Sequence, residues 1–252
     1  MVQNTVSKFA VVSSVALFLA ACSEETTTAT SDTEAPAPEI QSAEDIAAAP
    51  TPAPAAEPGE PVDFSGYEGF KRYQIKSGVI EYRLEGMRSG TEKVYWDDWG
   101  VKEARYTKAT LNLMGVAQEV EERLISTPDV IYTIDVKTNQ AVKTKNPGVG
   151  FFKGLSEDEM TQMSKQLLEA TGAKRLGTDF VAEQTCELWD VPLSGGQECI
   201  WKGIALAESG SLGGLQSERE ATTVVAGIEV DEVHFTLPKD VTITDNTVDP
   251  EN

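Results

Sequence analysis

Three cysteines are the residues of this 252-residue chain best suited to covalent chemistry. Two of them, Cys186 and Cys199, flank a turn at Ser194–Gly196 and lie within two predicted strands. In an oxidising compartment such a pair is usually joined, and closing so short a loop would stabilise the fold by roughly 3 kcal/mol. The two positions are not directly opposed, so a disulfide here would need a bulge. Two buried thiols or a redox-active pair are the alternatives, although the spacing is not C-x-x-C.

Acid–base and metal chemistry has little support in the sequence. His234 is the only histidine, and in the predicted strand it lies opposite Val233 and Phe235, where we expect solvent rather than a catalytic partner. No G-x-S-x-G, G-x-G-x-x-G or P-loop pattern occurs, and one histidine is too few for a usual zinc site. Gly210–Gly214 lacks the lysine of a P-loop and is interpreted as a flexible loop. The sequence therefore predicts no catalytic residue, cofactor or metal site.

The acidic residues give no stronger signal. Asp97, Asp98 and Glu92 carry the oxygen ligands that Ca²⁺ prefers. Neighbouring residues of a strand point to opposite faces, so these carboxylates converge only if the chain bends, and a turn is the favoured interpretation. Glu81 and Glu85 lie at even spacing on one strand face. That spacing indicates surface acids rather than the facing carboxylates of a glycosidase.

The N-terminal segment, residues 1–21, has the composition of a secretory signal. Lys8 precedes an apolar run over 9–21, which is shorter than the roughly 20 residues that a membrane-spanning helix needs. The run ends in Leu19–Cys22, which resembles the lipobox of bacterial lipoproteins. The resemblance implies cleavage before Cys22 and acylation of that cysteine, and the alternative is an ordinary secretory signal with a chance cysteine. Ser23, in place of aspartate, implies sorting to the outer membrane, where the chain would face the periplasm.

Composition divides the mature chain into a tether and one domain. Residues 22–66 are rich in Ala, Pro, Thr and acids, with no Lys or Arg between Lys8 and Lys71. Such a segment buries too little apolar surface to offset its ordering entropy, so we interpret it as a disordered tether. Residues 67–245 are predicted to fold and 246–252 to form a loose tail. The formal net charge of −20 argues against a nucleic-acid partner and favours a monomer that its acyl chains hold to the membrane.

Alternating apolar and polar residues predict mainly β structure (α+β, with one helix) in the domain. Ile80–Glu85, Val130–Lys137 and Val233–Leu237 alternate in the manner of antiparallel strands with one buried face. Further strand-like runs lie near 91–97, 100–108, 116–126, 140–144, 180–191, 198–206 and 216–230. Short turns between them favour a meander of neighbouring strands. We therefore expect a strongly curved antiparallel sheet, an incomplete barrel.

One helix is predicted over about 157–171. Ser156 and Glu159 have the spacing of a capping box, and Gly172 stands where helices commonly end. Met160, Met163 and Leu167 fall on one face at helical spacing. We expect this stripe to pack across the concave side of the sheet.

This layout resembles the Lol-type half-barrel of bacterial lipoprotein carriers and receptors, and parts of it resemble a family of uncharacterised envelope lipoproteins often grouped with that fold. The resemblance covers about 72–243 and rests on Val94–Arg105, on Ile134-Asp135 with Asn139-Gln140 and Lys143, and on Leu176–Thr178, Cys186–Trp189 and Ile200–Ile204. In the Lol-type fold, a curved sheet and a covering helix enclose an apolar cavity for acyl chains. The chain departs from the carriers in its own anchor, long tether and negative charge, and no functional receptor residue matches one for one.

Aromatic residues and the methionine-bearing helix give the leading hypothesis, which is binding of a lipid or another apolar molecule between sheet and helix. The candidate lining residues are Tyr82, Tyr95, Trp96, Trp99, Tyr132, Met160, Met163, Leu167, Trp189 and Trp201. If the same residues fill a solid core, the expected function is instead recognition of an envelope protein. An enzyme is the third hypothesis and lacks a matching motif.

Overall fold

The computed structural model describes residues 58–113, 115–146, 155–212 and 214–247. Within them the chain forms fourteen strands and one α-helix. The signal segment, Cys22 and most of the proposed tether lie outside the described residues. In chain order the elements are β1 (Pro58–Pro61), β2 (Gly78–Gly86), β3 (Arg88–Asp97), β4 (Lys102–Leu113), β5 (Val116–Ser126), β6 (Val130–Asp135), β7 (Gln140–Lys145), α1 (Glu157–Ala170), β8 (Lys174–Val181), β9 (Gln184–Val191), β10 (Gly196–Trp201), β11 (Ile204–Leu212), β12 (Leu215–Ala226), β13 (Thr236–Pro238) and β14 (Thr242–Asp245).

Twelve of these strands form one sheet, in the order β14-β7-β6-β5-β4-β3-β2-β12-β11-β10-β9-β8. All neighbours are antiparallel except β14, which runs parallel to β7. The sheet is curved and open and does not close into a barrel. The predicted fold class is therefore confirmed. Among the described helices, none is long and apolar enough to cross a membrane.

The strand alternation read from the sequence is visible in the burial of β2. Ile80, Tyr82 and Leu84 are buried, whereas Glu81 and Arg83 between them are exposed. The buried residues of β2 lie beside Val94 and Trp96 of β3. Gly78 is directly opposite Trp96, and a Cβ at this glycine would come within 2.4 Å of the indole ring. The absence of a side chain at 78 thus makes room for the largest fully buried residue of the core.

The segment between β1 and β2, rather than the helix, covers this core. The rings of Tyr73 and Trp96 meet edge to face with centroids 6.1 Å apart, and the indole nitrogen of Trp96 donates to the carbonyl of Ile75 at 3.1 Å. β1 pairs with β13, and Val62 just after it is buried. Residues 58–62, assigned to the tether from composition, therefore pack against the domain.

The predicted helix is confirmed, but the predicted packing of its stripe is wrong. Ser156 and Glu159 form both hydrogen bonds of the capping box, and Gly172 follows the helix with a φ of 85°. Met163 and Leu167 remain 38% and 58% exposed. The side chain of Met160 lies outside the described part. The difference arises because the helix is rotated about its axis and a different face meets the sheet.

Candidate functional site

The helix α1 lies along one face of β9. Leu168 packs in a small cluster with Trp189 and Val191, and Lys165 donates to Glu187 at 3.3 Å. Glu187, Trp189 and Val191 alternate along β9 and so share a face. Near the start of α1, the hydroxyl of Thr161 accepts a hydrogen bond from Gln74 at 3.0 Å. These contacts fix which side of the helix faces the sheet.

Thr161, Ser164 and Leu168 are the least exposed described side chains of α1. At 3.6 residues per turn, the stripe of Met160, Met163 and Leu167 is rotated from them by roughly 100° about the helix axis. Met163 and Leu167 therefore point along the flank of the helix instead of into the sheet. Sequence periodicity identified an apolar face correctly, but it could not show that a different face makes the contacts.

The strand β8, which follows α1 in the chain, also carries exposed apolar residues. Phe180 pairs with Thr185 and Thr178 with Glu187, so both side chains lie on the sheet face along which α1 runs. Phe180 is nevertheless 66% exposed, and Leu176, at a bulge in the same strand, is 53% exposed. We call Met163, Leu167, Leu176 and Phe180 the hairpin surface, because α1 and β8 are consecutive elements joined by a short turn.

The structure does not bring the ten predicted cavity residues together. Tyr82 and Trp96 belong to the main core, with Trp201 packed against it, and Trp189 belongs to the separate cluster under α1. Tyr132 packs with Ile125 and Ile134. Tyr95 lies on the opposite sheet face from Trp96, and Trp99 forms a turn after β3. Of the predicted lining residues whose side chains the structure describes, Met163 and Leu167 alone contribute to the hairpin surface.

Two open depressions lie on the sheet. One, of about 360 Å³, lies over β3–β5 near Lys108, Glu119 and Lys137. The other, of about 160 Å³, is lined in part by Leu188, Cys199 and Ala207. Neither includes a residue of α1.

A network of charged residues crosses the sheet beside the main core, and sequence reasoning missed it. Its ion pairs run from Arg72 through Glu103, Arg105, Glu92 and Arg219 to Glu208, at N–O distances between 2.7 and 3.9 Å. Four strands, β3, β4, β11 and β12, contribute to it. The residues are far apart in sequence, so only the strand order shows that they meet.

Glu103 is the most deeply buried member of this network. It accepts hydrogen bonds from Tyr73, Arg72 and Arg105. Burial works to raise the pKa of Glu103, but the charges of Arg105 and Arg72 and the Tyr73 hydroxyl outweigh it and lower that pKa to about 2. Burial raises the pKa of the Tyr73 hydroxyl in turn. With every partner satisfied, this carboxylate is held in place as a structural anion.

The surroundings of His234 also differ from the expectation. Glu232–Phe235 is a 3₁₀ turn rather than a strand, because Asp231 caps it and directs Phe235 inward. The imidazole of His234 is half-buried, stacked on Tyr95 with ring centroids 3.7 Å apart. Burial, followed by the charge of Arg123, lowers the pKa of His234. The nearest polar partner of its Nδ1 is the Tyr106 hydroxyl at 3.3 Å.

The predicted disulfide is present between Cys186 and Cys199. Cys199 pairs with Leu188 across β9 and β10, so Cys186 is two residues out of register. The adjoining β10–β11 ladder shifts register between Cys199 and Ile200. The sequence-based expectation of imperfect opposition is therefore correct, and the bond joins diagonal neighbours.

Two of the three carboxylates considered for Ca²⁺ are engaged in other contacts. Glu92 bonds to Arg219 at 2.8 Å and to Thr107 at 3.2 Å, and Asp97 accepts from the backbone of Asp98 at 2.7 Å. The described residues contain no group of three or more His, Cys, Asp or Glu placed to hold a metal ion.

Comparisons with known proteins find distant structural likeness alone. No protein-family model and no curated protein matches the sequence. An uncharacterized conserved protein from Thermus thermophilus aligns at 10% identity and a TM-score of 0.40, over 67% of this chain and 90% of that one. LprF from Mycobacterium bovis aligns at 12% identity and a TM-score of 0.31, over 64% and 90% respectively. Both similarities are too distant to carry an assignment of function, and the resemblance to Lol-type carriers stays a prediction.

Proposed function

We propose that the protein is a lipid-anchored, non-catalytic lipoprotein of the bacterial envelope that binds a lipid or another apolar molecule at the hairpin surface. The anchor is the acylated Cys22, and the folded domain faces the periplasm from the outer membrane. The observation that carries the binding proposal is the exposure of Met163, Leu167, Leu176 and Phe180 on consecutive elements.

Physical chemistry favours binding at these side chains. Exposed large apolar residues that group together mark interaction sites more often than scattered ones do. Methionine side chains adapt to ligands of varied shape, and an aromatic ring such as Phe180 offers a large apolar contact area. Phe180 lies on a sheet face that α1 covers only in part, so a flexible chain can contact both strand and helix.

The absence of catalysis is part of the proposal. His234, the only histidine, stacks on Tyr95, and no carboxylate or nucleophile is among the four residues of the hairpin surface. The charged network is fully paired around Glu103. An apolar surface without an acid–base pair supports binding rather than turnover.

A second candidate function is recognition of an envelope protein by the same surface. The main core is filled by Tyr73, Tyr82 and Trp96, which leaves apolar contacts outside it for a partner. In this case Phe180 would anchor a protein interface in place of an acyl chain.

Ligand binding is tested with the full chain carrying Cys22→Ser, which removes the acylation site. Displacement of a fluorescent fatty acid and solvent extraction followed by mass spectrometry would report bound lipid. Phe180→Ser and Met163→Ser should lower affinity on the order of 10-fold, because each removes about 1.5 kcal/mol of apolar contact. Leu193→Ser is the matched control, since Leu193 is 67% exposed in the β9–β10 turn.

The result decides between the two candidates. Lipid binding that Phe180→Ser weakens and Leu193→Ser does not supports the ligand site. No lipid and no fatty-acid displacement would overturn it, and capture of one envelope protein by a photo-crosslinker at 180 would establish the interaction module.

The anchor is tested separately in cells. Labelled palmitate should be incorporated into the wild-type chain and not into Cys22→Ser, and only the wild type should fractionate with the outer membrane. Absence of label from a processed wild-type chain would exclude the lipoprotein assignment without affecting the binding test.

A further inference from the structure

The strand β8 forms one edge of the twelve-stranded sheet, and among the described residues it pairs only with β9. Six of its eight residues are exposed, including Thr178, Asp179 and Phe180 in succession. Its last residue, Val181, is buried in the main core beside β12, so the edge from Lys174 to Phe180 is the part that presents backbone donors and acceptors to an approaching strand.

The hydrogen-bond phase of β8 shows which groups face outward. Val181 and Gln184 flank a two-residue turn in which Ala182 and Glu183 both have positive φ. In a β-hairpin with such a turn, here formed by β8 and β9, the two flanking residues exchange backbone hydrogen bonds. Hydrogen-bonded and non-hydrogen-bonded pairs then alternate along the strands. Val181 and Asp179 therefore bond to β9, whereas the backbone groups of Phe180 and Thr178 point away from it. Consistent with this, the amide of Phe180 donates to the Asp179 side chain at 2.7 Å.

We propose that β8 pairs antiparallel with β8 of a second copy of this chain, about a two-fold axis at Thr178. This register places Leu176 opposite Phe180 of the partner on both sides of a central threonine pair. Leucine opposite an aromatic residue is a favourable cross-strand pair. Both side chains are already more than half exposed, so the pairing removes apolar surface from water.

Charge and space at the edge are also self-complementary. An antiparallel arrangement brings Lys174 and Arg175 of one copy towards Asp179 of the other copy and towards Glu183 in the turn that follows its β8. Gly177 lies next to the axis, and a Cβ there would meet no atom within 4 Å. The strands can therefore approach closely at the centre, a position where glycine is favoured.

The pair joins two hairpin surfaces into one apolar surface, so each copy contributes to the ligand site of the other. This inference deepens the proposed function and rests on its hairpin surface. The strand contact is small beside the roughly 1,200 Å² of a stable interface, and the bulge at Leu176 limits its length. Added salt screens the repulsion that the net charge of −20 produces, so the pairing is expected in solution at raised protein and salt concentration.

Sedimentation velocity on the Cys22→Ser chain tests the pairing, with dimerisation followed as concentration and salt are raised. Thr178→Lys places two like charges at the axis and should weaken the dimer on the order of 10-fold or more. Thr178→Pro removes an amide that β9 does not use and should do the same. Thr178→Val keeps a β-branched side chain and should dimerise at least as well as the wild type.

The control is Thr242→Lys on β14, the opposite edge of the sheet, and circular dichroism confirms folding of each variant. A wild-type chain that stays monomeric at every concentration would overturn the proposal, as would a dimer that Thr178→Lys and Thr178→Pro leave intact. Fatty-acid displacement by the same variants separates the two proposals. A monomer that still binds would refute the shared site but not the hairpin surface, and a dimer that binds nothing would refute the ligand.

Discussion

The centre of the sheet and the hairpin formed by α1 and β8 use similar apolar residues with opposite results. In β2 and β3, Ile80 and Trp96 are fully buried and Tyr73 closes over them. In the hairpin, Leu167 and Phe180 stay more than half exposed. The difference shows that residue type does not decide burial. Burial is decided by which face of an element points towards its neighbour, and by whether another segment of the chain covers that face.

The two regions also differ in how they treat charge. The centre contains the network around Glu103, where each buried charge has a partner and the core is bounded by ion pairs. The hairpin has looser pairs, such as Lys165 with Glu187, in which both side chains are partly exposed. Exposed pairs contribute little stability. We therefore expect the centre to determine folding stability and the hairpin to be free to serve a partner.

Trp96→Ala should produce the largest loss of stability. The indole ring is fully buried, and its nitrogen bonds to Ile75. Removing it should cost about 4 kcal/mol of unfolding free energy, which urea denaturation would measure. Trp201→Ala is the control, because Trp201 only packs against the edge of the same core, and it should cost less than half as much. Equal losses would contradict the assignment of Trp96 as the centre of the core.

Acidification should destabilise the centre of the sheet before it affects the hairpin formed by α1 and β8. The pKa of Glu103 is lowered to about 2 in the folded protein, from an ordinary value of 4.5. A carboxylate with a depressed pKa stabilises the fold above its unfolded pKa, and this contribution is lost as pH falls from about 5 towards 2. We expect a loss of roughly 3 kcal/mol across that window, measured as unfolding free energy against pH.

Glu103→Gln tests whether this carboxylate is responsible. The variant should be less stable at neutral pH, because Arg72 and Arg105 lose their buried counter-charge, and its stability should vary less over the same pH window. An unchanged slope would assign the pH dependence to other acids.

Replacing Cys186 and Cys199 with alanine should cost somewhat less, roughly 2 to 3 kcal/mol, since the bond closes a short loop. Most of the loss comes from the greater conformational entropy of the unfolded chain without the cross-link, rather than from lost native contacts. The bond links β9 to β10, and β9 supports α1, so hydrogen exchange should rise first in α1 and β8. Exchange that rises first in β2 and β3 would show that the bond supports the centre instead.

The sequence predicted the parts of the fold that depend on local signals. The capping box at Ser156 and the alternation in β2 were each visible in a few residues. The run 180–191 was predicted as one strand and is two. Ala182 and Glu183 adopt the left-handed conformation without the Gly or Asn that usually marks such a turn.

The candidate site was less predictable because it depends on tertiary contacts. Met163 and Leu167 were identified as an apolar face, but only contacts such as that of Leu168 with Trp189 show how the helix is rotated. Glu92 and Arg219 are 127 residues apart in the sequence. They bond across β2, because β2 pairs with both of their strands in the sheet. Strand order of this kind leaves no local pattern to read.

Adjacent leucines of α1 give the smallest and most discriminating comparison. Leu168→Ala should cost about 1 to 2 kcal/mol because its side chain packs against Trp189 and Val191, somewhat less than for a fully buried leucine. Leu167→Ala should change the unfolding free energy by less than about 0.5 kcal/mol, because an exposed side chain loses few contacts. Leu167→Ala should instead weaken fatty-acid binding. Leu168→Ala should change fatty-acid binding only to the extent that it destabilises the fold. Thermal melts and the displacement assay on both variants check this. Loss of stability at Leu167 would show that the stripe packs inside the fold, and the hairpin surface would then be part of the core.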